Sequence, residues 1–221
     1  MTENRQRRRL GQVVLLATGL LSWALLPVTP ARAGNFPATG QTTVYQADKH
    51  NGAGLDAIPD DGTLQRGATL HYKVLHDGTV GDMNTGLIWE VKCSHDSDSR
   101  CPALHDVDKV YPWSGDGATD TIWDWLVNIN NEGGTGYAGH HDWRIPNVRE
   151  LRSIVDYGVF DPAINPIFGP TATTAFSAYW SSTTSVGFPE FKWGVDFSNG
   201  ADDELSKANK FPIRAVRGGE Q

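Results

Sequence analysis

Residues 142–158 constrain the fold of this chain more than any other stretch, because start, face and stop of one helix are all written there. Pro146 disfavours helical backbone at Ile145. Asn147 can accept hydrogen bonds from the amides of a first turn, and Glu150, three residues on, can reach back to the Asn147 amide. The helix is therefore predicted to begin at Val148. Val148, Leu151, Ile154 and Val155 recur at helical spacing, Arg149, Arg152 and Asp156 fall off that stripe, and Gly158 suits a left-handed residue after the helix end. A helix with one apolar stripe is stable only against a partner surface, so the rest of the chain has to supply one.

That surface is β. Leu70, Tyr72 and Val74 alternate with His71 and Lys73, residues 76–79 carry turn chemistry, and 79–82 return. Asn84, Thr85 and Gly86 turn the chain into residues 87–92, where Leu87, Trp89 and Val91 are expected to face inward. A first helix is predicted over 121–131. Thr121 caps it with Asp124 as partner, Ile122, Trp125, Leu126 and Ile129 form its stripe, and Gly133 and Gly134 end it. Trp123 and Val127 lie off the stripe, which leaves Trp123 packed under a loop or exposed as a stacking surface. After a proline-punctuated loop over 161–170, strands are expected at 179–183 and 191–197, a turn at 198–200, an acidic loop at 199–209 and a closing strand at 211–217. Strands, two helices, then strands define an α+β domain of antiparallel sheet with two helices packed against it.

The first 33 residues read as addressing. Arg5, Arg7, Arg8 and Arg9 precede a short apolar run over 13–26, and Ala31-Arg32-Ala33 is a small-x-small cleavage site. The run of 14 residues is short of the ~20 a spanning helix needs, so cleavage after Ala33 is expected rather than an uncleaved anchor. Removing five arginines and one glutamate from 19 basic and 26 acidic residues leaves 14 and 25, a formal charge of −11. That balance disfavours nucleic acid as a partner. Residues 34–67, rich in Gly, Thr, Asp and Pro, read as an extended arm laid over the domain, with one short strand at 43–46. Residues 68–221 form the domain itself. The mature chain offers no segment for crossing a membrane, and its expected place is the periplasm, the cell surface or the medium.

Cys93 and Cys101 flank seven polar residues, and in an exported protein this reads as a disulfide-closed loop, the rivals being free thiols or metal ligands. Asp106, Asp108, Asp116 and Asp120 sit in a glycine-broken stretch. Oxygen-rich loops of this kind can hold calcium, although the spacing is not that of an EF-hand, and solvated or capping carboxylates are the plainer reading. His140 is expected to make a structural hydrogen bond. Arg144 needs a carboxylate such as Asp142 or Glu150.

The words from Asp142 to Gly158 resemble the signature of the Lcl C-terminal domain family, named for a collagen-like bacterial adhesin. Further matching stretches are 77–80, 84–90, 138–140, 161–166, 179–183 and 214–219. The resemblance implies a C-type-lectin-like fold, export, and a role in recognition, as an adhesin or lectin-like module for carbohydrate or a surface protein. On such a fold the late loops present the ligand site, which makes Trp180, Phe188 and Trp193 the stacking candidates and Asp196, Asn199, Asp202 and Asp203 the polar or calcium-held contacts. The alternatives are an interaction subunit of a cell-envelope assembly and, further off, an oxidase of the formylglycine-generating kind. The latter needs a close cysteine pair late in the domain, whereas Cys93 and Cys101 are early.

Overall fold

In the computed structural model, residues 36–43, 60–113, 120–172 and 177–219 are described, and these lie in one compact unit spanning Asn35–Gln221. The expected leader over 1–33, the expected strand at 43–46 (of which only Thr43 is described) and Asp116 fall outside them. A short helix α1, Asp61–Leu64, is capped by Asp60. Strands β1 (Tyr72–Val74), β2 (Thr79–Asp82) and β3 (Leu87–Glu90) form an antiparallel meander, completed by the last strand, β9 (Val216–Gly218), beside β3. The Asp77 carboxylate accepts from the Thr79 amide at 3.0 Å and shapes the β1–β2 turn, as its sequence implied. Two further sheets follow. β4 (Tyr111–Pro112) pairs with β8 (Lys210–Phe211), and β5 (Ala178–Thr184), β6 (Phe191–Asp196) and β7 (Ala201–Ser206) form an antiparallel set in that order.

Both helix starts form as their sequences dictate. α2, Ile122–Asn131, opens with a capping box between Thr121 and Asp124, and α3, Val148–Arg152, with one between Asn147 and Glu150. The Asn147 carboxamide accepts from both Arg149 and Glu150 amides, and Glu150 returns a bond to the Asn147 amide at 2.8 Å. α3 is shorter than the stripe suggested, because after Arg152 the chain turns to pair Val155 with Ile164. The stripe is buried all the same: Leu151 and Ile154 are fully inaccessible and pack with Trp89, Phe168, Tyr179 and Val195. α2 fills the second cluster, where Trp125 and Ile129 meet Trp113, Trp143, Trp180 and Ile213.

Gly158 does not serve as a left-handed stop. Its backbone lies against Gly40, and a Cβ there would collide with the Gly40 carbonyl, so the glycine permits a close approach. The arm is held by that approach, by the Tyr157 amide donating to Thr39 O at 2.7 Å, and by a bridge between Pro37 and Ala68. The run 201–206, expected as loop, is strand β7. Its three consecutive acidic residues concealed it, and charge is how an edge strand avoids pairing with another chain. The closing run 211–217 is broken rather than continuous, with Ile213, Arg214 and Ala215 in a buried crossing between β8 and β9.

Candidate functional site

The late strands present two surfaces, because alternate residues of β6 face opposite ways. Along one face the side chains run from core to solvent. Phe197 and Val195 are fully buried, Trp193 and Phe191 are half-buried, and beyond them the β5–β6 loop carries Phe188 at 55 % and Val186 at 95 % exposure. Across from Trp193 lies Glu204, and across from Phe191 lies Ser206, so two polar side chains of β7 flank the aromatic stripe. The loop is tied down from within. Phe191 N donates to Phe188 O at 2.8 Å, Ser185 Oγ donates to Glu204 at 2.6 Å, and Lys207 Nζ donates to Pro189 O. Phe188 and Phe191 meet edge to face with ring centroids 6.4 Å apart.

The predicted ligand residues divide. Phe188 and Trp193 lie on this stripe. Trp180 does not: it is fully buried, donates its indole N–H to Tyr111 O at 2.8 Å, and packs edge-on against Trp113 and Phe211, so it is core and cannot stack on a ligand. The polar candidates are engaged in turns and pairs. Asp196 accepts from the Ser198 amide at 2.7 Å, and Asn199 from the Ala201 amide at 2.8 Å. Burial works against the Asp196 charge, but bonds from Ser198 and Ser177 outweigh it and hold the carboxyl below its ordinary range. Asp202 pairs with Arg152 at 2.8 Å. Asp203 projects to the opposite face, beside Gly194, where partial burial and the charges of Asp196 and Asp202 push its pKa up. Among the described residues, no three acidic, histidine or cysteine side chains converge as metal ligands.

The earlier acidic stretch is similarly occupied. Asp106 is buried and takes amide hydrogen bonds from Asp108 and from His95 of the disulfide loop, whose Cys93–Cys101 bond is formed with the Cα atoms 5.7 Å apart. Asp120 borders a cleft of about 310 Å³ together with Lys109 and Asn128, and a lysine in the same cleft works against a cation. Asp108, by contrast, is exposed. Trp123 is 48 % exposed and leans edge-on against Trp113. The hydrogen bond expected of His140 falls instead to His141, whose Nδ1 lies 2.6 Å from Asn130 O. Arg144 holds Glu150 with both terminal nitrogens, at 2.7 and 2.8 Å, while Asp142 is taken by Arg217.

A buried charge network has no signature in the sequence. Glu90, fully inaccessible, contacts Lys92 and His105 Nδ1 at 2.8 Å each and accepts from the Ala215 amide at 2.8 Å; His105 Nε2 reaches Glu132 at 2.9 Å. Burial disfavours the Glu90 charge, but Lys92 and His105 override it and bring its pKa down to about 2. Arg214, also fully buried, donates to the Glu90 and Phe168 carbonyls at 2.8 and 2.7 Å and to Thr171 Oγ1 at 3.2 Å. The alternation of β3 predicted that Leu87 and Trp89 are core, but gave no sign that Glu90 on the other face is equally buried.

Fold and surface together define an α+β domain of antiparallel sheets and capped helices with an aromatic stripe on one face of its last sheet. The chain belongs to the Lcl C-terminal domain family, whose model matches residues 78–217, more than half of its length. No curated protein matches it.

Proposed function

We propose that this is an exported, non-catalytic recognition module of the adhesin or lectin-like kind, binding carbohydrate through the β5–β6 hairpin. The observation that carries the reading is the aromatic stripe of exposed Phe188 and half-buried Phe191 and Trp193, flanked by Glu204 and Ser206. A sugar ring offers an apolar C–H face and a rim of hydroxyls, and an aromatic surface edged by a carboxylate and a hydroxyl meets both. Because the loop is internally bonded, little ordering entropy is lost when a ligand docks. The amino-terminal leader and the disulfide both support an oxidising location outside the cytoplasm. Formylglycine-type oxidation has no support in Cys93 and Cys101, which are spent on each other.

A second reading, an interaction subunit of an envelope assembly, is favoured by one specific feature. Val186 and Phe188 stand at the loop tip, far more exposed than isolated apolar side chains need to be.

A glycan array with the exported protein, run with and without calcium, tests the first reading. Trp193→Ala and Phe188→Ala are each expected to weaken the hits by about tenfold, equivalent to about 1.4 kcal/mol. Hits that survive both substitutions would place the sugar elsewhere. An array without hits, together with a protein cross-linked through residue 186 in the native envelope, would replace the first reading with the second.

A further inference from the structure

We propose a second binding site, independent of the hairpin: the cavity between α3 and the arm, which fits a ligand with one carboxylate on an apolar body. The cavity is about 520 Å³, and its walls include Phe36, Pro37, Ala38 and Val155, with Arg149 and Tyr157 at its border. That volume is in the range of small-molecule pockets.

The chemistry of the ligand follows from which polar groups are still free. Thr39 gives its hydroxyl to Asp61, Ser153 gives its own to Glu150 O at 2.7 Å, and the Tyr157 hydroxyl donates to Gly200 O at 3.0 Å. Arg152, the other guanidinium of this wall, is neutralised by Asp202 at 2.8 Å and contacts the Tyr157 oxygen at 3.3 Å. Acidic side chains on neighbouring elements are engaged too, Glu150 by Arg144 and Asp156 by the Gly158 amide. What is left is Arg149, exposed, whose guanidinium has no partner among the described residues. Its planar fork of N–H donors matches a carboxylate with two parallel hydrogen bonds.

This inventory selects among ligand classes. A neutral sugar needs several hydrogen-bonding groups spread around its ring, and on this wall Arg149 alone brings a side chain with no partner among the described residues. A polyanion needs several unneutralised cations, and again there is one. An apolar acid needs a greasy pocket with a single cationic fork. Such a group occurs on a small aromatic or aliphatic acid and at the end of a peptide with an apolar last residue.

The test uses titration calorimetry on the exported protein with four probes: 3-phenylpropionate, its amide, the peptide Gly-Gly-Ala-Phe with a free C-terminus, and the same peptide amidated. Each acid is expected to bind about tenfold or more tightly than its amide. Arg149→Ala removes that preference and Arg149→Lys restores part of it, while Trp193→Ala leaves it unchanged. Arg149 is exposed, so the thermal midpoint of the alanine variant should match the parent and separate lost binding from lost fold. A peptide acid that outbinds 3-phenylpropionate identifies a chain end as the natural source; equal affinities identify a small acid. Acid and amide binding alike, no binding of either acid at millimolar concentration, or a preference that survives Arg149→Ala would each overturn the assignment.

Discussion

His105 sits between two carboxylates, Glu90 at 2.8 Å from Nδ1 and Glu132 at 2.9 Å from Nε2, with the Tyr137 ring stacked 4.2 Å away. An ionised carboxylate only accepts, and a neutral imidazole has one N–H, so both contacts are hydrogen bonds only while the ring is protonated. Burial opposes that charge, and Lys92 adds repulsion, yet the bonds His105 donates to Glu90 and Glu132 and the Glu90 charge prevail and raise the His105 pKa. The folded pKa therefore exceeds the unfolded one. The stabilisation is complete below about pH 6.5, the usual histidine value, and is lost as pH rises through the folded pKa. His105→Gln removes the imidazolium but leaves Glu90 with Lys92 and the Ala215 amide, and Glu132, partly exposed, regains water. Breaking a buried pair costs about 3–5 kcal/mol, and the surviving partners reduce this to about 2–4 kcal/mol. For a domain of this size, 1 kcal/mol moves the midpoint by about 2–4 °C, so a drop of about 4–16 °C is expected. Urea unfolding of parent and variant between pH 5.5 and 9 is the assay. The parent should lose its advantage over His105→Gln as pH rises. A difference that is constant across the range, or smaller than about 0.5 kcal/mol at pH 5.5, would refute the protonated clamp.

Two further outcomes follow from the packing. Arg214→Met removes the buried guanidinium donor from the Glu90 carbonyl and leaves the Phe168 carbonyl only the Lys92 amide at 3.3 Å, at about 1–3 kcal/mol for a buried group left short of its partner, so equilibrium denaturation should show a loss of about 1–3 kcal/mol; a loss under about 0.5 kcal/mol would mean that water replaces the guanidinium. Gly158→Ala forces a methyl into the Gly40 carbonyl, and limited proteolysis should cut the arm near residues 36–43 faster than in the parent while the unfolding free energy of the core falls by only about 1 kcal/mol. Unchanged cleavage would show that the arm is held without that contact.

Local chemistry made several parts of this molecule readable from its residues. The Asn147–Glu150 and Thr121–Asp124 capping boxes, the buried stripe of α3, the Asp77 turn and the inward Leu87 and Trp89 all depend on neighbours within a few positions, so short-range pattern was enough. The family signature lies in the same words. Long-range assembly decided the rest. Trp180 and Trp193 are alike in sequence, and only the second cluster, closing over one face of β5, made the first core and left the second half-buried. The acids of β7 looked like a loop because pairing with β6, not propensity, makes that strand. Glu90, His105 and Glu132 are scattered along the chain, as are Arg149 and the arm that faces it. Bringing them together is the work of tertiary contacts, because burial, charge pairing and a cavity's free donors are properties of neighbours in space that adjacent residues do not encode.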